Sequence, residues 1–121
     1  MVLDRVPEAA LSRPISEIKA ELFRALAHPA RVRVLELLAA SEMSVGEIQP
    51  LVGIEMSHLS QQLAVLRRAG LVTTRKAGST VFYAIRDREL VSLLASAKQL
   101  LINSLTESQQ LLSDLSVSSS A

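Results

Sequence analysis

Ser57, Ser60, Gln61 and Arg68 recur at the three-, four- and seven-residue intervals that place side chains on one face of a helix. With Ser57 set at zero and about 100° per residue, these four and Ala64 fall within about 60° of it, while Leu59, Leu63 and Leu66 gather near about 200°. One face is built for a core. The other offers short hydroxyls and an amide around a small residue. Each of those groups can donate and accept hydrogen bonds, the chemistry needed against the edges of base pairs in a groove. An ordinary surface helix would carry Glu and Lys there, and carboxylates would repel phosphates.

The charge pattern points the same way. Between Glu55 and Asp87 there is no acidic residue, yet Arg67, Arg68, Arg75, Lys76 and Arg86 all lie there. The other eight bases and all twelve acids lie outside, so a formal net charge of +1 conceals +5 within the window and −4 beyond it. Such a one-signed stretch is the footprint of a polyanion-binding surface, because Lys and Arg replace the counterions of phosphates. The charges by themselves would equally fit a solvated basic face. Their coincidence with the Ser/Gln face favours double-stranded DNA.

Composition removes other classes. Two Phe, one Tyr and no Trp supply few of the aromatic platforms that single-strand and RNA binders stack bases on. The absence of Cys excludes disulfides, thiolate metal sites and nucleophilic thiols. No Ser lies in a nucleophile-elbow pattern, and no glycine-rich loop has phosphate-binding spacing, so an enzyme is not expected. No apolar run approaches membrane-spanning length and the amino terminus lacks a signal-peptide core. A cytoplasmic protein of one domain, with no membrane partner, is the expectation.

The elements that would position this face follow from punctuation and periodicity. Residues 1–14, with Pro7 and Pro14, are expected to form a flexible arm, and Ser16 to cap a first helix carrying Ile18, Leu22, Phe23 and Leu26. His28-Pro29 separates it from a second helix reaching about Ala40, with Val34, Leu35 and Leu38 inward. Ser44-Val-Gly-Glu47 is a capping box opening a short helix, and Gly53-Ile-Glu55 has the composition of a turn between helices. The helix of the polar face then spans about Met56 to Ala69 and ends at Gly70. Leu71–Lys76 and Thr80–Ile85 predict a hairpin around Ala77-Gly-Ser79. From about Arg88 to Leu112 a last helix is apolar on nearly every side, including Leu90, Leu94, Ala97 and Leu101. So many apolar faces on a terminal helix predict a second subunit. The serine-rich stretch 113–121 is expected to be a disordered tail.

The order of elements is that of a winged helix-turn-helix: mainly α with a small β-hairpin. Three segments are also familiar. Leu26-Ala-His-Pro-Ala-Arg-Val-Arg-Val-Leu35, Met56-Ser-His-Leu-Ser-Gln-Gln-Leu63 and Leu66-Arg-Arg-Ala-Gly-Leu-Val72 closely resemble the ArsR-type bacterial repressors, and Gly78-Ser-Thr-Val-Phe-Tyr-Ala-Ile85 resembles their wing. The likeness runs from about Ile18 to Leu101. It implies a DNA-binding and dimerisation domain over 15–112, a palindromic operator, an effector that weakens DNA affinity, and a homodimer through the first and last helices. The interface residues would be Ile18, Leu22, Leu26, Leu90, Leu94, Ala97 and Leu101. Ser57, Ser60 and Gln61 would read the major groove with His58 and Arg68 at its edges. Arg75, Lys76 and Ser79 of the wing would meet the backbone or the neighbouring minor groove.

The chain departs from that family where many members bind metal. Met43-Ser-Val-Gly-Glu47 has no thiol where others hold Cys ligands. Asp87-Arg-Glu89 is followed by Leu100 and Asn103 where a tetrahedral ion would need two more ligands. No metal and no cofactor are expected, and an inducer, if one exists, is a small molecule the sequence does not name. His28 reads as a cap between helices, and His58 as either a phosphate contact or a helix-start hydrogen bond. Two alternatives stay open: a metal-responsive repressor with oxygen ligands, and a winged-helix interaction module that has lost DNA binding.

Overall fold

The computed structural model describes residues 13–120. The arm expected at 1–14 therefore lies outside the described residues except for Arg13 and Pro14, as does Ala121. The chain forms α1 (Ile15–Leu26), α2 (Pro29–Leu38), β1 (Met43–Ser44), α3 (Val45–Val52), α4 (Met56–Arg68), β2 (Val72–Ala77), β3 (Thr80–Ile85) and α5 (Glu89–Ser120). It divides into two units, one ending at Arg88 and the other beginning at Glu89.

In the first unit α1 starts one residue before the expected cap. Pro14 is the N-cap, and its carbonyl accepts from Glu17 N at 3.0 Å, so Ser16 lies in the first turn and among the described residues no side chain caps the helix. Arg13 explains the early start: its guanidinium reaches Glu17 at 3.4 Å and Glu21 at 2.6 Å, bracing the first two turns. The Glu21 carboxyl is accordingly held below its ordinary range by the hydrogen bond from Arg13. Pro29 occupies the first position of α2, where its missing N–H is not needed, and His28 Nδ1 accepts from Ala30 N at 3.0 Å. That is the cap expected of His28.

Val34 and Leu35 from α2, Ile48 from α3, Leu59, Leu63 and Leu66 from α4, and Val72 from β2 are all fully or almost fully buried and form the core. The α3 capping box is reciprocal: Glu47 N donates to Ser44 Oγ at 3.2 Å and Ser44 N to Glu47 Oε1 at 2.9 Å. A three-stranded antiparallel sheet in the order β1-β3-β2 closes this unit. Val72 pairs with Ile85 and Ala77 with Thr80, leaving a two-residue turn of Gly78 and Ser79. Gly78 has φ 64° and no non-glycine residue among the described residues has positive φ, the pattern of a hairpin turn left-handed only at its first central residue. The expected hairpin thus has a shorter tip, with Ala77 inside the ladder. It also has a third strand that was not expected. Met43 pairs with Tyr83 and Ser44 with Phe82, a run of two residues too short to leave a periodic signature.

The second unit is a single helix, and it corrects the expected boundary. α5 continues through residues 113–120 instead of ending at Leu112. Nothing in Glu89–Ser120 is Gly or Pro, Leu111, Leu112 and Leu115 keep helical spacing, and Gln110 donates to Asp114 one turn on at 3.0 Å. Serine weakens a helix without stopping it. From Leu100 onward its large apolar side chains are exposed, Leu101 at 64% and Leu105 at 65%. No helix among the described residues is long and apolar enough to cross a membrane.

Candidate nucleic-acid interface

The turn between α3 and α4 is fixed by two hydrogen bonds and one left-handed residue. Gly53, at φ 77°, donates to Gln49 O at 2.9 Å, and Gln49 Nε2 returns to Ile54 O at 2.9 Å. A side chain at Gly53 would be strained in that backbone. The far end of α4 closes in a Schellman motif: Leu71 N reaches Leu66 O at 3.0 Å and Gly70 N reaches Arg67 O at 3.0 Å, with Gly70 at φ 75°. Arg67 and Arg68 sit in this last turn, where the helix dipole favours cations. Both ends of α4 are therefore pinned, and Leu59, Leu63 and Leu66, each almost fully buried, anchor it in the core.

The opposite face carries the expected groups. Ser57, Ser60, Gln61 and Arg68 are all exposed along one side of α4, with Ala64 half-buried between them. His58 is also exposed, and its ring stands edge-on to His28, centroids 5.8 Å apart at 84°. At the margin of the polar face it therefore also touches the α1–α2 junction. Gln62 escaped the sequence reading altogether. It lies at about 140° on the wheel, beside the leucine stripe. It is buried at 7% and accepts from Arg31 Nη1 at 3.4 Å.

The wing separates its two bases. Lys76 and Ser79 are exposed near the tip, and no side-chain partner is found for Lys76 among the described residues. Arg75 is engaged twice. It forms an ion pair with Glu42, Nε to Oε2 at 3.3 Å, and its guanidinium lies 4.7 Å from the centre of the Phe82 ring. Glu42 immediately precedes β1, the strand that sequence did not reveal, and β1 brings this acid beside the wing. The acid-free window is a fact of sequence; in space one carboxylate stands at its edge. The Arg75 hydrogen bond holds the Glu42 carboxyl below its ordinary range.

Among the residues expected at a subunit interface, Ile18, Leu22, Leu26 and Leu94 are half-buried, Ala97 and Leu101 exposed, and Leu90 already buried in the single chain. Phe23 and Ile15 of α1 are exposed large apolar side chains as well. Among the described residues no three His, Asp or Glu side chains gather as they would around an ion.

Known proteins share this arrangement. A helix-turn-helix domain family matches residues 26–75. The helix-turn-helix transcriptional regulator Rv0081 of Mycobacterium tuberculosis, itself uncharacterised, is 47% identical over 111 residues, spanning 91% of this chain and 97% of its own. Its crystal structure superposes with a TM-score of 0.73, covering 79% of this chain and 97% of that one. The biofilm growth-associated repressor of Agrobacterium fabrum is 38% identical over 92 residues, 76% of this chain and 78% of the repressor. The homodimeric winged helix-turn-helix DNA-binding domain Mb0332 of Mycobacterium bovis, described as a possible ArsR-family regulator, is 26% identical. It superposes with a TM-score of 0.70 over 86% of this chain and 94% of its own. With α3 and α4 as the helix-turn-helix and β2–β3 as the wing, the chain belongs to the winged helix-turn-helix transcriptional regulators.

Proposed function

We propose that this regulator is an ArsR-type homodimeric repressor, cytoplasmic, that binds a palindromic operator in double-stranded DNA. One observation carries the reading: α4 commits its leucine face wholly to the core and leaves exposed a polar face free of acids, Ser57, Ser60, Gln61 and Arg68. In this reading those groups enter the major groove, with His58 at the margin, and Lys76, Ser79 and Arg75 of the wing meet phosphates alongside. The homodimer uses Ile18, Leu22 and Leu26 of α1 with Leu94, Ala97 and Leu101 of α5, while Leu90 supports that seam from within its own chain. The repressor role is supported by the Agrobacterium relative, and the ArsR type by the Mycobacterium bovis domain. Without thiols, the effector is a small molecule other than a thiolate-bound metal, or the regulator's own concentration sets occupancy.

Selection from a randomised duplex pool tests the reading. The protein should enrich an inverted repeat whose half-sites lie about one helical turn, or a small multiple of it, apart. The enriched duplex should bind at least about a thousandfold tighter than a scrambled one. A pool that stays random through successive rounds would contradict it.

A further inference from the structure

Arg31, in the first turn of α2, bridges two helices that are not neighbours in sequence. Its Nη1 donates to Gln62 Oε1 of α4 at 3.4 Å, and its Nη2 donates to the Arg24 carbonyl in the last turn of α1 at 3.3 Å. Its Nε is buried with no hydrogen-bond partner among the described residues. One turn toward the start of α4, His58 rests against His28, the N-cap of α2. The α1–α2 junction therefore touches α4 at two points a turn apart, His58 and Gln62, both on the flank between its leucine stripe and its exposed face.

Stability alone does not account for this arrangement. Gln62 sits beside Leu59, Leu63 and Leu66, where another apolar side chain would need no partner and would bury more apolar surface. A buried donor left without an acceptor costs about 1–3 kcal/mol, and Arg31 Nε carries such a penalty. Polar groups retained in a core against that penalty are directional where leucines are not: a hydrogen bond fails under a rotation that an apolar contact absorbs. Departures from a fully satisfied core concentrate where function needs them.

The leverage is large. Rolling a helix of about 5 Å side-chain radius by about 10° moves its outer face by about 1 Å. A shift of that size separates a made base contact from a missed one. We infer that Arg31 and Gln62 are positioning residues: a strut from the end of α1 that sets the roll of α4 and thereby the sequence selectivity of its exposed face. The inference rests on α4 being the DNA-reading helix. If α1 is part of the subunit interface, the same strut carries the geometry of the dimer to the reading face.

The test uses the full chain, the duplex enriched by wild type, and a scrambled duplex. Gln62→Met removes the acceptor at similar volume, and the double variant Arg31→Met/Gln62→Met removes both partners so that no buried charge is stranded. Gln62→Glu keeps an acceptor for Arg31. Both Met variants should melt cooperatively, hold their affinity for scrambled DNA within about twofold, and lose about tenfold of the ratio between the two duplexes. Gln62→Glu should keep the wild-type ratio. An unchanged ratio in the folded double variant overturns the strut. So does an equal loss on both duplexes, which marks a merely structural role, and so does a Gln62→Glu that behaves like Gln62→Met. A wild type that prefers neither duplex overturns the DNA reading itself, and with it the strut.

Discussion

Helices α4 and α5 spend their apolar residues differently. In thirteen residues α4 buries Leu59, Leu63 and Leu66 almost completely within the chain and turns polar groups outward. In thirty-two residues α5 leaves Leu100, Leu101, Ile102, Leu105, Leu111 and Leu112 exposed. The first helix is finished within its own chain, and what it shows to solvent is chemistry for another kind of molecule. The second is unfinished, and apolar area of that extent calls for an apolar partner. A regulator that binds as a symmetric dimer needs one surface of each kind.

Substitutions at each surface should break different properties. Largest is Leu101→Glu, which in a dimer would bury an unpaired carboxylate at two related positions. Sedimentation should find the dimer weakened at least about a hundredfold, with cooperative unfolding kept because Leu101 is exposed in the single chain. A dimer of wild-type strength would move the interface off α5. The wing offers a smaller effect of opposite sign. Glu42→Ala releases Arg75 from its ion pair and removes an acid beside the phosphates, so affinity for any duplex should rise by about two- to fivefold at low salt. The gain should shrink when Arg75→Ala is also present; an undiminished gain would remove Arg75 from the DNA surface. The smallest change is expected from metal. With no thiol, stoichiometric zinc, nickel, cobalt or arsenite should leave duplex affinity within about a factor of two. A calorimetric titration with a defined stoichiometry and a larger loss would point to oxygen ligands.

The contrast between the helices was largely legible in the chain. Leu59, Leu63 and Leu66 at helical spacing, Ser44 with Glu47 three residues on, and glycines at 53 and 70 are local signals, and each stands where its signal placed it. What escaped was non-local or without a stop signal. β1 is two residues long and exists only because β3 pairs with it, so neither it nor the Glu42–Arg75 pair it creates could be read from spacing. Gln62 looks in sequence like one more polar residue of a polar helix, and its hydrogen-bond partner Arg31 lies thirty-one positions away. The serines after Leu112 suggest disorder by composition, yet the helix continues through them, with Leu115 one turn on from Leu111 and Leu112.

The central claim is that α4 reads sequence while the wing supplies charge, and a salt series on two variants tests it most directly. Gln61→Ala removes one base-edge contact per subunit, worth roughly 1–3 kcal/mol of discrimination each. It should lose at least about tenfold on the enriched duplex, keep most of its affinity for the scrambled one, and leave the salt slope unchanged. Lys76→Ala should weaken both duplexes alike and lower the slope by roughly 1 to 2 units per dimer. If Gln61→Ala instead weakens both duplexes equally, as Lys76→Ala does, α4 is not the helix that reads the DNA.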